Sequence, residues 1–113
     1  MHTLLNTIIT ETASLHNMSV ATLLSKSRKQ PLPTIRAFVC KYAYELHGFK
    51  LREIRDALQF KDHTTVISAK QTLSDEISVT PELYSKYQNY IDYLNNALLH
   101  EIQRKQTTAE PNY

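Results

Sequence analysis

One glycine, Gly48, in 113 residues is the tightest constraint on what this chain can fold into. With only four prolines beside it and apolar residues recurring at i, i+3 and i+4, the pattern predicts an all-α domain. The same scarcity excludes glycine loops: G-x-x-x-x-G-K-[ST], G-x-G-x-x-G and G-x-S-x-G cannot be written here. No bound nucleotide or other cofactor is therefore expected, and no enzyme of those designs.

About six helices are expected, packed as one domain over residues 1–106. Leu4, Leu5, Ile8, Ile9 and Leu15 mark the first, from Thr3 to His16, and Ser19 is a plausible N-cap for a short second helix with Val20, Leu23 and Leu24. Residues 25–34 read as a basic, polar loop stopped by Pro31 and Pro33. Ile35, Phe38, Val39, Tyr42, Ala43 and Leu46 share one stripe of a third helix that Gly48 would end. Leu51, Ile54 and Leu58 mark a fourth, short one. Gln59-Phe60-Lys61 is a turn, and Asp62 or His63 caps a fifth helix with Val66, Ala69, Leu73 and Ile77 inward. Pro81 suits the first turn of a sixth that extends to Gln106, with Leu83, Tyr84, Tyr87, Ile91, Leu94, Leu98 and Ile102 along one side. Residues 107–113 are expected to form a disordered tail.

A hydrophobic content of 42% supports one modest core. The lone Cys40 forms no internal disulfide and supplies too few thiolates for structural zinc, so a reducing, cytoplasmic setting is expected. There is no leader pattern and no apolar run of about 18 residues, hence no membrane partner. The net charge of +2 conceals an uneven distribution. Residues 26–61 carry a surplus of six positive charges, whereas the segments on either side are net acidic. A basic middle of this kind is the footprint expected for an anionic partner, although a solvated face is the bland alternative.

Lys61-Asp62-His63-Thr64-Thr65-Val66 follows a short amphipathic helix and opens a longer one. Helix, short turn, then a helix with small hydroxylated residues at its start is how a helix-turn-helix brings side chains to base edges. His63 can donate to a guanine or phosphate acceptor. Thr64 and Thr65 offer a hydroxyl, and a methyl suited to thymine.

The run Asp62-His63-Thr64-Thr65-Val66 resembles the signature of the DNA-binding domain of the bacterial replication initiator DnaA, its C-terminal domain IV. Ser19-Val20-Ala21-Thr22-Leu23-Leu24-Ser25-Lys26-Ser27-Arg28 is similar to the family's second helix and basic loop, and the similarity covers roughly residues 5–96. It implies a compact all-α, Trp-repressor-like fold with the helix-turn-helix at about residues 50–77. It also implies binding to double-stranded DNA at A·T-rich sites in replication initiation or its regulation, in the bacterial cytoplasm, whether the source is the cell, a phage or a mobile element. By that resemblance Arg28 enters a minor groove, where narrow A·T tracts concentrate negative potential. Arg36 would contact phosphate or a base edge, and Leu51 would make an apolar approach. His63, Thr64 and Thr65 would read the major groove, with Asp62 capping and orienting them. Lys26, Lys29 and Lys61 are added as phosphate contacts on charge alone.

Three departures stand out. Gln59-Phe60 replaces the family's glycines, so a positive φ at Phe60 would be strained. Ile35-Arg36-Ala37 replaces Pro-Arg-Gln, losing an amide, and Arg52 stands where the family has proline. The chain has no room for the family's ATPase module, so the expectation is an excised domain or a free-standing relative. A stand-alone transcriptional regulator with altered site preference and a protein-binding helical adaptor remain open alternatives. Cys40 reads as a small packed side chain. His2, His16, His47 and His100 lack metal-ligand spacing and read as surface or helix-end residues. Tyr42, Tyr84 and Tyr87 are expected in the core. Tyr84, Tyr87, Ile91, Leu94 and Leu98 pack over the domain itself, with a homodimer seam as the alternative.

Overall fold

Six consecutive residues, Ile35 to Cys40, are buried. A helix carrying such a run has no solvent face and must pass through the middle of the structure. In the computed structural model, which describes the backbone of residues 3–109 and the side chains of residues 3–101, this run belongs to helix α3 (Leu32–Lys41). Around it stand α1 (Thr3–Leu15), α2 (Val20–Leu23), α4 (Leu51–Leu58), α5 (His63–Val79) and α6 (Pro81–Ala109). No strand occurs among the described residues. α3 packs against α5, α1 and α2, while α5 also meets α4 and α6, and α6 lies along α1.

The core combines aliphatic side chains of α1, α3, α4 and α5 with an aromatic seam that binds α6 to the rest. Phe38 lies 5.4 Å from Tyr87 and 5.2 Å from Tyr90, ring centre to ring centre, and Tyr42 meets Tyr90 edge-on at 5.6 Å. Tyr90 is fully buried. Thr12 donates its hydroxyl hydrogen to the carbonyl of Ile8 at 2.7 Å, so its oxygen accepts from the Tyr90 hydroxyl, also at 2.7 Å. Tyr42 donates to Asn95 Oδ1 at 2.6 Å. These pairings satisfy the Tyr90 and Tyr42 phenols, whereas the buried Tyr87 hydroxyl has no hydrogen-bond partner among the described residues. The expected α6 stripe is therefore rotated: Tyr87, Tyr90, Leu94 and Leu98 are buried, whereas Tyr84 is exposed. Most of the stripe considered as a dimer seam thus packs against the domain's own core.

Three helix ends turn on residues with positive φ: Asn17 at 55°, Gly48 at 70° and Gln59 at 61°. At the first and third, the chain closes a Schellman motif. The amide of Met18 bonds Ala13 O at 3.0 Å, and that of Phe60 bonds Arg55 O at 2.9 Å. The strained position before the signature is thus Gln59, not Phe60, which is half-buried against the core.

Two further expectations are corrected. Pro33 does not delay the third helix. α3 starts at Leu32 with Pro33 in its first turn, where a missing N–H costs nothing. After Lys41 the helix widens into a π-helical turn over Tyr42–Leu46. The wider turn keeps Tyr42 and Ala43 inside but swings Leu46 out to 45% exposure, off the expected stripe. Cys40 is fully buried, and desolvation pushes its thiol up to about 12, as a packed side chain requires. α6 runs to Ala109, past the expected end at Gln106. The expectations for Ile102 and His2, and for residues 110–113 of the tail, lie outside the described side chains and backbone.

Replacing Gln59 by glycine removes the Cβ penalty at φ 61° and should raise unfolding stability by about 0.5–1 kcal/mol, net of the added unfolded-state entropy. A urea midpoint measures it. An unchanged or lower midpoint would contradict the assignment of strain to Gln59.

Candidate nucleic-acid interface

α4, a tight turn and α5 form a helix-turn-helix. The sharp reversal after Leu58 is made by the Schellman closure at Gln59 and Phe60, and α5 is re-initiated by Asp62, whose Oδ1 accepts from the Thr65 amide at 3.2 Å. The same oxygen accepts the hydroxyl of Thr64, and that of Thr65 at 3.4 Å. Asp62 is thus the N-cap and also orients both threonines. With their hydrogens committed to the carboxylate, the two hydroxyl oxygens face outward as acceptors, beside their methyl groups. The hydrogen bonds from Thr64 and then from the Thr65 amide hold the Asp62 carboxyl below the usual aspartate range.

Lys61, Asp62, His63, Thr64 and Thr65 are all exposed. Directly behind them Val66 and Leu73 are fully buried, with Ala69 and Ile77 packed against the core. Each of the two buried side chains contributes roughly 1.5–3 kcal/mol. That burial is what holds a helix that would be marginal in isolation. One flank is clamped by polar contacts to the π-helical turn and its approach: Lys41 Nζ bonds Ser74 Oγ at 2.8 Å, and Lys70 lies 4.8 Å from the centre of the Tyr44 ring.

The basic middle divides into paired groups and exposed ones. Lys41 pairs with Glu45 at 2.9 Å and Arg55 with Asp56 at 2.8 Å. Lys26, Arg28, Lys29, Lys50, Arg52 and Lys61 are exposed. Arg36, expected at a phosphate or base edge, is instead turned inward at 8% exposure, its guanidinium bonded to carbonyls of Leu23, Ser25 and Ser27. Burial explains this: a desolvated guanidinium must satisfy its N–H groups, and here the protein backbone does so. Leu51 is half-buried as the first residue of α4 and packs against the core.

The end of the basic loop and α5 adjoin. A shallow trough of about 300 Å3 is lined by Gln30 of the loop and by Pro33 and Thr34 of the first turn of α3 on one side, and by Thr65, Ser68, Thr72 and Glu76 of α5 on the other. The segment following Arg28 and the first turns of α5 therefore share one surface. His16 and His47 sit at helix ends as expected: His16 Nδ1 lies 2.8 Å from Thr12 O, while the His47 ring packs edge-on to Tyr42 at 4.8 Å. Among the described residues no group of three or more His, Cys, Asp or Glu side chains could hold a metal ion. No described helix is long and apolar enough to cross a membrane.

A short helix, a tight turn and a capped helix with an exposed polar start define a DNA-binding helix-turn-helix domain. Residues 5–73, more than half of the chain, match the family model described as the bacterial dnaA protein helix-turn-helix, and the chain belongs to that family.

Because the folded Asp62 carboxyl titrates below its unfolded counterpart, its stabilising contribution is complete above the ordinary aspartate pKa of 3.8 and is lost as pH falls through the lower folded value. Asp62→Asn should therefore make the acid limb of stability, between about pH 5 and pH 2, less steep. An identical acid limb in the two proteins would contradict the cap's charge-dependent role.

Proposed function

We propose that this domain binds double-stranded DNA at A·T-rich nonamer sites of the DnaA-box kind, in replication initiation or its regulation. The N-terminal turn of α5 enters the major groove, and Arg28 reaches the adjacent minor groove. The observation that carries this reading is the exposed start of α5 beside the end of the basic loop, across one shallow trough.

Each residue then has a chemical task. His63 donates to a purine acceptor or a phosphate oxygen. Thr64 and Thr65, whose hydroxyl hydrogens are held by Asp62, accept from base amino groups or pack their methyls on thymine. The exposed Lys26, Lys29 and Lys61 bind phosphates, fixing register without reading sequence. Leu51 supports the approach of α4 from its half-buried position. The cations suited to phosphate, Lys26, Arg28, Lys29 and Lys61, belong to the part of the chain that carries the positive surplus, whereas His63, Thr64 and Thr65 open the net acidic C-terminal part. That net acidic part forms the whole of α5 and α6.

A labelled duplex carrying an A·T-rich nonamer, titrated against a scrambled duplex at two salt concentrations, tests the reading. The wild-type chain should prefer the nonamer, with affinity falling steeply as salt rises. His63→Ala and Thr64→Ala should each lose about 1–3 kcal/mol on the nonamer and little on the scrambled duplex, whereas Lys29→Ala should weaken both alike. Equal affinity of the wild-type chain for both duplexes would defeat site-specific reading. Salt-independent binding would defeat the phosphate contacts.

A further inference from the structure

Direct DNA contact does not account for the surroundings of Arg36. Its Nε donates to Leu23 O at 2.8 Å, Nη1 to Ser27 O at 2.7 Å, and Nη2 to Ser25 O at 2.6 Å, with Ser25 Oγ at 3.4 Å. Leu23 is the last residue of α2, and its carbonyl is one of the acceptors a helix end leaves without an intrahelical partner. Ser25 and Ser27 lie in the segment that carries the exposed Lys26 and Arg28. One buried guanidinium on the central helix thus grips the end of α2 and two alternate peptide groups of the basic loop.

The geometry has a directional consequence. The carbonyl of Ser27 and the N–H of Arg28 belong to one planar peptide unit, so a bond that fixes the first fixes the peptide plane on which the Arg28 Cα is carried and narrows the directions open to its side chain. The loop's serines extend the restraint: Ser25 Oγ accepts from the Ser27 amide at 3.4 Å and Ser27 Oγ from the Lys29 amide at 3.2 Å. A loop held this way has lost much of its backbone freedom before DNA arrives, and ordering that is already complete does not weaken binding. Lysine could not replace the arginine, because a single ammonium cannot present the planar fork that spans these carbonyls.

We propose that Arg36 is a positioning residue for minor-groove reading, pre-organising the basic loop so that Arg28 is aimed at the groove while Arg36 itself touches no DNA. This rests on the DNA-binding reading above, so the experiment separates the two. Affinities for the nonamer duplex are measured for the full chain as wild type, Arg28→Ala, Arg36→Lys and the double variant, with amide hydrogen exchange of the free proteins over residues 24–30 and a thermal midpoint for each. Arg36→Lys should weaken nonamer binding on the order of tenfold and speed exchange of the loop amides with little change in midpoint. In the Arg28→Ala background the same change should have no further effect on affinity. Ser27→Gly, which loosens the loop without entering the core, should behave in the same way and serves if Arg36→Lys does not fold.

An additive loss in the double variant, with the salt dependence reduced by about one phosphate, would mean that Arg36 meets the backbone directly and would overturn the proposal. Loss of nonamer binding that tracks only a fall in midpoint, with loop amides unaffected, would make Arg36 a stability residue and overturn it equally. An Arg28→Ala protein that binds the nonamer as well as wild type would overturn the minor-groove reading itself, and the positioning role with it.

Discussion

The burial of α3 on nearly every side is the constraint on which the remaining structure depends. Ile35, Ala37, Val39 and Cys40 leave no solvent face, so the other helices must cover it. α5 rests on it through Val66 and Leu73, and α6 is attached through Phe38 of α3 and Tyr42 of the π-helical turn that follows it. The one charge in that buried run, Arg36, can be accommodated only where backbone carbonyls converge. Those carbonyls come from α2 and the basic loop. The loop's conformation is thereby linked to the core instead of being left to solvent.

The structure separates residues that hold from residues that are free to recognise. Lys41 and Arg55 find carboxylates, and Arg36 finds carbonyls. Lys26, Arg28, Lys29, Lys61 and His63 remain exposed. Asp62 joins the two groups. It caps α5 and fixes two threonine hydroxyls with the same oxygen, so rotamer freedom at the exposed start of the helix is reduced before any partner arrives. Pre-organisation of this kind lowers the entropy lost on binding, for which a mobile side chain costs about 0.5–1.5 kcal/mol.

Much of this was legible in the sequence. Spacing of Leu5, Ile8, Ile9, Ile54, Leu58, Val66 and Leu73 predicted helices and their buried faces, because burial on one face forces that period. Ser19 and Asp62 were recognisable as caps because short polar acceptors are needed there. Three features were not legible. The π-helical turn that exposes Leu46 depends on tertiary packing around Tyr42 and has no pattern of its own. Tyr90 lies off the expected stripe, although it is three residues after Tyr87 and four before Leu94, because a stripe through Tyr84 and Ile91 runs along a neighbouring face of the helix. The inward turn of Arg36 was hidden because an arginine beside a basic loop looks the same in sequence whether it faces phosphate or carbonyl oxygens.

The central claim is that the start of α5 and the basic loop together form the DNA-contacting surface. Amide chemical-shift perturbation, with an A·T-rich nonamer duplex titrated into the labelled chain, tests it most directly. The account predicts that the largest shifts fall on Lys61 to Val66 and on Lys26 to Lys29, with buried α6 positions such as Tyr90 and Leu94 little changed. Shifts concentrated on the exposed face of α6, with both of those segments unperturbed, would contradict it.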